Sequence, residues 1–311
     1  TPLYSSAASD VYKRQLIGLN AWRQWGKLRQ DSVARTLFSS YDILVIGETN
    51  CAASNAESQT LDGYSHHYTV RHGRTGGGVS AYVRHGLHRY VTRVHPTQPA
   101  GTQPAHEDAP ECVWLRVSRQ CLVTGRDMLL CAAYLPPVQT KARSELQMDQ
   151  LWEQLTNTAL PSDDVLLLGD LNAHTGRECD IPNHAALEQL GDAVPQGLAA
   201  HLSTDAYSGI PLQRANSSPV TATAKGLRLV ELICRGSGLV IANGRTPGDM
   251  QGACTYPTSR SGNTRHQPSQ LDLLLLSPSL MRRLTDFRVL NDTPGCESMS
   301  DHYPVLSLIH I

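Results

Sequence analysis

Short apolar runs recur along this chain of 311 residues, and most of them end in an acid, an amide or an imidazole. The strongest is DVLLLGDLNAH (164–174), in which a valine and three leucines lead into Asp170 and Asn172. YDILVIGET (41–49) has the same form and ends near Glu48. Uninterrupted apolar runs are typical of strands buried on both faces. The pattern therefore predicts buried strands that carry polar side chains at their ends.

Between these runs the sequence predicts helices, loops and further strands. Helices are predicted over 24–38, over 144–160 and in the first part of 228–245, where a glycine break and a strand follow. Residues 95–111 and 175–225 are rich in turn-forming residues and predict loops. Strands that alternate with helices around one core indicate a single α/β domain. The remaining strands are predicted at 16–20, 78–83, 112–117, 128–137, 270–280 and 300–308.

Composition narrows the classes of function. A hydrophobic fraction of 40% and a charged fraction of 18% are ordinary for a globular chain that buries a full core. The formal net charge of −1 argues against a protein that coats a polyanion. It does not exclude DNA or RNA as a substrate, because a local basic rim is enough to contact phosphates.

The cysteines and the apolar runs bear on the cellular compartment. None of the eight cysteines forms a CxxC pair, so neither a disulfide framework nor a zinc site is predicted. We expect mostly buried free thiols in a reducing compartment. No apolar run approaches the roughly 20 residues of a membrane span, and the basic–apolar–small pattern of a secretory leader is not found, so we expect no secretion signal. We therefore expect an intracellular protein, nuclear or cytoplasmic, that does not engage a membrane.

The polar residues at strand ends form the candidate site. Side chains at strand ends meet at one edge of a sheet, where ligand crevices form. We therefore expect these residues to lie together: Asn20, Glu48, Tyr134, Asp170, Asn172, Thr255, Asp272, Asp301 and His302.

This set of residues suits the hydrolysis of a phosphodiester. That reaction needs a metal to neutralise charge, a base for water, and donors that stabilise the transition state. Carboxylate and amide oxygens are the ligands that Mg²⁺ prefers, and Glu48, Asp301 and Asn20 supply them. His302 is placed to donate to a phosphate oxygen or to share a proton with Asp272.

Structural explanations compete with this interpretation. Asp170 and Asn172 could form a turn after a buried strand. Asp301 and His302 could cap a helix or form an ion pair, and Tyr134 could be a core aromatic residue. An unpaired carboxylate at the end of a buried strand is costly, which favours a functional role for Glu48. The glycines at 76–78 predict a tight turn, because no P-loop lysine follows them. Five histidines between 66 and 88 match no metal-site spacing and are expected to be solvated.

Five motifs occur in order along the chain: IGET (46–49), TGGGVSAYV (75–83), GDLNAH (169–174), LDLLLLS (271–277) and SDHYPV (300–305). Together they resemble the endonuclease/exonuclease/phosphatase superfamily and cover roughly residues 16–306. That superfamily includes abasic-site endonucleases, deoxyribonuclease I, sphingomyelinases, inositol-polyphosphate phosphatases and the endonuclease domains of LINE-type retrotransposons. GLVIANGRTPGD (238–249), followed by CTYP, resembles the LINE-type (non-LTR) branch in particular.

The resemblance implies a fold and a role for each residue. The fold would be a four-layered α/β sandwich, with two mixed β-sheets packed face to face and helices outside. Glu48 would be the principal Mg²⁺ ligand, with Asn20 and Asp301 nearby. Asp170 would orient or deprotonate the attacking water, and Asn172 would stabilise charge on the phosphoryl group. The remaining roles concern the substrate. His302, held by Asp272, would contact the scissile phosphate. Tyr134 would hydrogen-bond a phosphate oxygen, and Thr255 would lie at the substrate-facing rim.

The resemblance also implies an activity and partners. The protein would be an Mg²⁺-dependent DNA endonuclease, with Mn²⁺ as a substitute, that leaves 3′-hydroxyl and 5′-phosphate ends. The 3′-hydroxyl would prime reverse transcription by a reverse-transcriptase domain downstream in the same polyprotein. One alternative is a phosphatase or phosphodiesterase that acts on lipid or inositol phosphates; another is an inactive nucleic-acid-binding domain. A basic, aromatic rim would favour DNA, and its candidates are Arg23 and Arg74, with Trp22, Trp25, Arg29, Arg71 and Arg84.

The two ends of the sequence differ from its middle. SSAASDVYKRQ (5–15) resembles a translated sequencing-adapter sequence, and LSLIHI (306–311) resembles the same kind of sequence. We expect residues 1–15 to be a non-native or disordered leader, residues 16–306 to form the endonuclease/exonuclease/phosphatase domain, and residues 307–311 to be a non-native tail. The alternative for PVLSLIHI (304–311) is an ordinary last strand.

Overall fold

Two six-stranded mixed sheets form the centre of the protein. The computed structural model describes residues 13–21, 24–51, 54–70, 77–96, 109–138, 140–182, 198, 201–257, 267–292 and 300–310. In the first sheet the strand order is β11 (Leu284–Val289), β12 (Val305–His310), β1 (Lys13–Asn20), β2 (Ile43–Gly47), β4 (Val79–Arg84) and β3 (Tyr64–Thr69). In the second sheet it is β5 (Val91–Val94), β6 (Glu111–Val117), β7 (Met128–Tyr134), β8 (Asp164–Asp170), β10 (Asp272–Leu276) and β9 (Val240–Ile241).

The strand pairing places the strand ends that carry the predicted site residues side by side. β1 and β2 are parallel, and so are β7 and β8, whereas the other pairs are antiparallel. Asn20 lies opposite Gly47 at the end of the first pair, and Tyr134 lies opposite Asp170 at the end of the second. Asp170 also lies opposite Asp272. Polar residues from neighbouring strands therefore lie at one edge of each sheet.

The two sheets pack face to face. One buried apolar cluster includes Leu16 and Val45 from the first sheet together with Leu130, Leu168 and Leu274 from the second. When two sheets pack face to face, the side chains along each strand alternate between the shared core and the outer face of the sheet. The inter-sheet core holds the polar edges of the two sheets next to each other.

Helices cover the outer faces of both sheets. α1 (Trp25–Leu28) and α2 (Ser32–Phe38) pack on the first sheet, with Trp25 and Phe38 fully buried. α4 (Lys141–Thr158) packs on the second, beside α5 (Ala224–Leu229) and the π-helical turn Val230–Arg235. The short helices α3 (His85–His88) and α6 (Pro278–Met281) complete the set in the described residues. The predicted four-layered α/β sandwich is confirmed.

The spacing of apolar residues explains why α4 lies on the sheet. Met148, Leu151 and Leu155 are three or four residues apart, so they share one face of the helix, and all three are fully buried. Full burial of side chains of this size contributes about 1.5–3 kcal/mol each. The helix begins where the Thr140 hydroxyl accepts a hydrogen bond from the Arg143 backbone amide.

Several predicted boundaries were wrong for local reasons. The helix predicted over 24–38 is two helices, because the carboxylate of Asp31 accepts a hydrogen bond from the Ala34 backbone amide and starts a new helix. The strand predicted over 270–280 ends at Leu276, and Pro278 begins α6. β1 begins at Lys13, earlier than predicted, and pairs with β12. Residues 305–310 form the last strand, β12.

The thiols and the helices bear on the remaining expectations. The seven cysteines in the described ranges are free, and Cys51, Cys131 and Cys234 are buried. Burial raises the pKa of Cys51 to about 11, so its thiol is unreactive at neutral pH. Cys296 lies outside the described residues.

Among the helices that the structure describes, none combines the length and the apolar character needed to cross a membrane.

Candidate active site

Hydrogen bonds between side chains join the polar edge of the first sheet to that of the second. Each bond links a residue at the edge of one sheet to a residue at the edge of the other. The bonds run from Asn20 Nδ2 to Asp170 Oδ2 (2.9 Å), from the Tyr134 hydroxyl to Glu48 Oε1 (2.5 Å), and between His302 Nδ1 and Asp272 Oδ2 (2.7 Å). The structure therefore brings together all the predicted catalytic side chains, and with them the candidate metal ligands Asn20 and Glu48.

The loop before β12 brings Asp301 to the same place. The hydroxyl of Ser300 donates to the backbone oxygen of Asn20 and lies 3.1 Å from Oδ1 of Asp301. The backbone amide of His302 donates to the same hydroxyl at 3.2 Å. Ser300 is buried, so this contact holds the loop against the end of β1. Ser300 begins the SDH motif but was not among the predicted site residues.

Asp170 is a buried carboxylate with three donors. Its Oδ2 accepts from Asn20 Nδ2 at 2.9 Å and from Asn172 Nδ2 at 3.1 Å, and its Oδ1 accepts from the Asn172 backbone amide at 2.9 Å. Burial raises the pKa of Asp170 to about 7, with the attraction of His302 opposing the shift and the repulsion of Asp272 adding to it. A carboxyl group with a pKa near neutrality is suited to accept a proton from water.

Asn172 is held in a conformation that serves Asp170. Its backbone is left-handed (φ 46°), which asparagine tolerates better than most residues. Its Nδ2 donates to Asp170 and also to the backbone oxygen of Leu135 at 3.0 Å. Because both acceptors are oxygens, the amide nitrogen must face them. The donors of this side chain are directed at the protein, so the geometry supports the positioning of Asp170 more than direct contact with a phosphoryl group.

Glu48 also has a left-handed backbone (φ 50°), immediately after β2. A non-glycine residue in this region costs of order 1 kcal/mol, and such strain clusters at functional sites. The side chain is half-buried, and the Tyr134 hydroxyl donates to it. Tyr134 is buried and thus orients the carboxylate of Glu48, a more indirect role than the predicted contact with a phosphate oxygen.

His302 is a buried cation. Burial alone would lower the pKa of its imidazole, but the charge of Asp272 and their hydrogen bond raise it to about 10. Both side chains are nearly inaccessible to solvent. At neutral pH the imidazolium therefore persists, with Nδ1 bonded to Asp272 and Nε2 as a second donor. Tyr256 packs edge-on against the imidazole ring, with 5.0 Å between ring centroids.

The fit of a divalent cation can be judged from the donors. Within the described ranges, no group of three or more histidine, cysteine, aspartate or glutamate side chains is placed to hold a metal ion. The candidate set is instead the carboxylates of Glu48 and Asp301 with the amide oxygen of Asn20. Mg²⁺ usually takes one or two carboxylates and keeps several waters, so this set fits it. The nitrogen of the Asn20 amide faces Asp170, which directs the oxygen away from that contact.

The structure corrects the predicted position of Thr255. It was expected at the substrate-facing rim, but it is fully buried. Its hydroxyl accepts hydrogen bonds from the backbone amides of Leu271 and Asp272, both at 3.0 Å. Thr255 therefore holds the start of β10, and its neighbour Tyr256 faces the crevice instead.

The expected basic rim is only partly described. Arg23 and Arg74, with Trp22 and Arg71, lie outside the described residues. Trp25 is fully buried and donates to the Tyr82 hydroxyl, so its expected place on the rim is wrong. The position expected for Arg84 is also wrong, since Arg84 ends β4 opposite Tyr64, away from the site, and bonds the Tyr41 carbonyl at 2.8 Å. Arg29 is engaged by the backbone oxygen of Ser58.

A cavity of about 500 Å³ adjoins these residues. Asn172 and His302 form one side of it, and Tyr256 and His174 contribute to its walls. Burial, with the nearby ammonium of Lys225, lowers the pKa of His174. The cavity is a place where a substrate group could lie against the candidate catalytic residues. The complete lining is Pro137, Asn172, His174, Val220, Tyr256, Gln267, Ser269, Leu271 and His302.

Comparison with protein families gives a match over most of the chain. Residues 18–302 match the profile of the Endonuclease/Exonuclease/phosphatase family. The chain belongs to this family. The match spans every candidate catalytic and metal-binding residue, from Asn20 to His302. Enzymes of this superfamily are hydrolases, and they generally use divalent metals such as Mg²⁺.

Solved structures with the same fold support the assignment. An AP endonuclease from Leishmania major is 16% identical, with a TM-score of 0.61, over 98% of this chain and 91% of that one. A 3′ phosphatase from Neisseria, bound to a product DNA hairpin, is 17% identical, with a TM-score of 0.57, over 94% and 98%. An AP endonuclease from Archaeoglobus fulgidus is 14% identical, with a TM-score of 0.55, over 96% and 100%. No match was found among curated proteins. At these identities the likeness establishes the nuclease/phosphatase fold of the Endonuclease/Exonuclease/phosphatase family.

Proposed function

We propose that this protein is an Mg²⁺-dependent endonuclease that hydrolyses DNA phosphodiester bonds. The observation that carries the proposal is the placement of Asp170. This buried carboxyl group has a pKa near 7 and lies between the amides of Asn20 and Asn172. Asn20 is a candidate metal ligand, so a proton acceptor and a cation site adjoin each other, as metal-assisted hydrolysis requires.

The chain's own groups supply the proton transfers and the orientation. Asp170 accepts a proton from the attacking water as the water oxygen bonds to phosphorus, and the donors around the carboxylate fix the direction of its free lone pairs. The bond between phosphorus and the 3′-oxygen breaks, and this oxygen takes a proton from solvent to become the 3′-hydroxyl. His302, held protonated by Asp272, donates to an oxygen of the scissile phosphate and stabilises its developing charge. Glu48, Asp301 and Asn20 would hold the cation, which would neutralise negative charge on the phosphate and the leaving group.

Two observations support DNA as the substrate. The Neisseria 3′ phosphatase of the same fold is bound to a product DNA hairpin, and two AP endonucleases share the fold across almost their whole length. The GLVIANGRTPGD motif (238–249) resembles the LINE-type branch, which favours an endonuclease of a retroelement. Its nick would leave a 3′-hydroxyl and a 5′-phosphate, and the 3′-hydroxyl would prime a reverse transcriptase from the same polyprotein. Such an enzyme would act on DNA in the nucleus or the cytoplasm.

Nicking of supercoiled plasmid tests the proposal. We expect the purified chain to convert supercoiled DNA to the open circular form with Mg²⁺ or Mn²⁺, and EDTA to stop the reaction. Asp170→Ala should abolish nicking. Asp205→Ala, which removes an exposed carboxylate from a 3₁₀ helix, should not affect it.

The same preparations distinguish the alternatives. Release of phosphate from inositol or lipid phosphates, without plasmid nicking, would replace DNA as the substrate. Binding of DNA by wild type and Asp170→Ala alike, with no turnover of plasmid, abasic DNA or phosphate esters, would make the protein a binding module.

A further inference from the structure

Lys225 places a buried ammonium group directly behind the candidate active site. The residue lies in the first turn of α5, and only 4% of it is exposed to solvent. Its Nζ lies 3.2 Å from the backbone oxygen of Pro136 and 3.4 Å from that of Leu135. A buried lysine is rare, because the charge is costly unless its donors are satisfied. The two carbonyls belong to the segment that follows β7.

The peptide of Leu135 connects this ammonium to the catalytic carboxylate. Its amide donates to the backbone oxygen of Asp170 at 2.9 Å. Its carbonyl accepts from Asn172 Nδ2 at 3.0 Å, and the same carbonyl is one of the two that Lys225 contacts. Asn172 Nδ2 in turn donates to Asp170. Lys225 and Asn172 thus share the Leu135 carbonyl as an acceptor. Asn172 also bonds Asp170, so the position of this carbonyl affects the position of the carboxylate.

The position of Lys225 is determined by close backbone packing. The backbone amide of Thr223 donates to the carbonyl of His174 at 2.9 Å. At Gly226 an added Cβ would lie 1.8 Å from that carbonyl oxygen, so the start of α5 packs against the loop after β8 with no room for a side chain. This packing fixes the backbone from which the buried side chain of Lys225 reaches the two carbonyls.

We propose that Lys225 is a positioning residue for Asn172 and Asp170. Its ammonium holds the Leu135 carbonyl in the direction that Asn172 requires, and Asn172 holds the carboxylate. Lys225 acts through these groups and does not itself contact the substrate. This inference rests on the proposed function for its kinetic consequence, but the placement of the Asn172 amide can be tested without turnover.

The first test is spectroscopic and needs no substrate. The ¹H–¹⁵N signals of the Asn172 side-chain amide are assigned by their loss in Asn172→Ala, in the full chain without metal. Lys225→Met, which keeps the length of the side chain and removes the charge, should move both signals and speed their exchange with water. Lys141→Met, at an exposed lysine of α4, should leave them in place. Unchanged signals in Lys225→Met would overturn the proposal.

The second test uses plasmid nicking and a double-mutant cycle. Lys225→Met should lower kcat by about tenfold or more with little change in KM, and Lys225→Arg should restore most of the rate. In the Asn172→Ala background, Lys225→Met should have little further effect, because the two act in series. The proposal would be overturned if the two substitutions lowered kcat by independent factors that multiply, or if Lys225→Met changed KM alone. Failure of Lys225→Arg to restore the rate, or an unfolded Lys225→Met protein, would also overturn it.

The two hypotheses fail in different ways. If wild type does not nick DNA but the Asn172 signals respond to Lys225→Met, the positioning role stands and the proposed function falls. If wild type nicks DNA and Lys225→Met neither moves the signals nor lowers kcat, the proposed function stands and the role of Lys225 falls.

Discussion

The amide nitrogen of Asn20, at the end of β1, donates a hydrogen bond of 2.9 Å to Oδ2 of Asp170, at the end of β8. The two residues are 150 positions apart in the sequence and belong to different sheets. The bond ties a candidate metal ligand to the candidate general base. The geometry of the site therefore depends on how the two sheets are packed.

Removal of the Asn20 amide should impair catalysis at constant fold. Asn20→Ala deletes a donor that stabilises the charged form of Asp170, so the pKa of this carboxyl group should rise. We expect kcat at pH 7 to fall by about ten- to a hundredfold and the acid limb of the pH–rate profile to move to higher pH. Asn291→Ala, at an exposed asparagine, should change neither. An unshifted acid limb in Asn20→Ala would separate Asn20 from Asp170.

Asp272 should control the protonation of His302. The pKa of His302 is raised to about 10 from its ordinary 6.5, so the stabilisation by this pair is complete below pH 6.5 and is lost as pH rises through 10. In Asp272→Asn the strongest attraction is gone, and burial opposes only the weaker attractions of Asp170 and Asp301, so the pKa of His302 should fall. An NMR titration of the imidazole in metal-free protein measures this change directly. A His302 that already titrates near 6.5 in wild type would contradict the assignment.

Gly169 should tolerate no side chain. A Cβ at this position would lie 1.8 Å from the backbone oxygen of Ala133 on the neighbouring strand, next to Asp170. We expect Gly169→Ala to lower the free energy of unfolding by more than about 3 kcal/mol. Gly209→Ala is the matched control, since its φ is also positive but nothing lies within 4 Å, and its cost should be about 1 kcal/mol. Denaturant titration compares the two, and equal losses would refute the close contact at Gly169.

Divalent cations should stabilise the folded protein through Glu48. If Mg²⁺ binds the native state and not the unfolded state, it raises the free energy of unfolding. Each kcal/mol gained should raise Tm by about 2 °C. The shift should disappear in Glu48→Gln and persist in Glu57→Gln, which changes an exposed glutamate. A full shift in Glu48→Gln would move the cation site away from Glu48.

The sequence was sufficient to predict that polar side chains at several strand ends lie together. Apolar strands can be recognised from their composition, and a polar residue at either end of such a strand lies at the edge of its sheet, so Asp170, Glu48 and Asp272 could be named in advance. The pairing of these residues across the two sheets could not be predicted, because it depends on how the sheets pack. The burial of Thr255 and Trp25 was missed for the same reason.

Lys225 was missed for a different reason. A single lysine at the end of a predicted loop is indistinguishable in sequence from an ordinary solvated lysine. It is buried in the structure, where α5 packs closely against the loop after β8 and the ammonium lies against the segment after β7. Asn172 lies beside Asp170, as the sequence predicts, but the direction of its amide depends on the Leu135 carbonyl, which belongs to a different strand connection.

The chemistry of the DNA ends tests the central claim most directly. Plasmid nicked by the wild-type protein with Mg²⁺ is freed of enzyme and treated with DNA ligase alone. Ligase joins only a 3′-hydroxyl to a 5′-phosphate, so we predict that the nicked circles are sealed without kinase or phosphatase treatment, and that Asp170→Ala yields no nicked circles. Nicks that resist ligase until their ends are repaired, or nicks that form equally well in EDTA, would contradict the account.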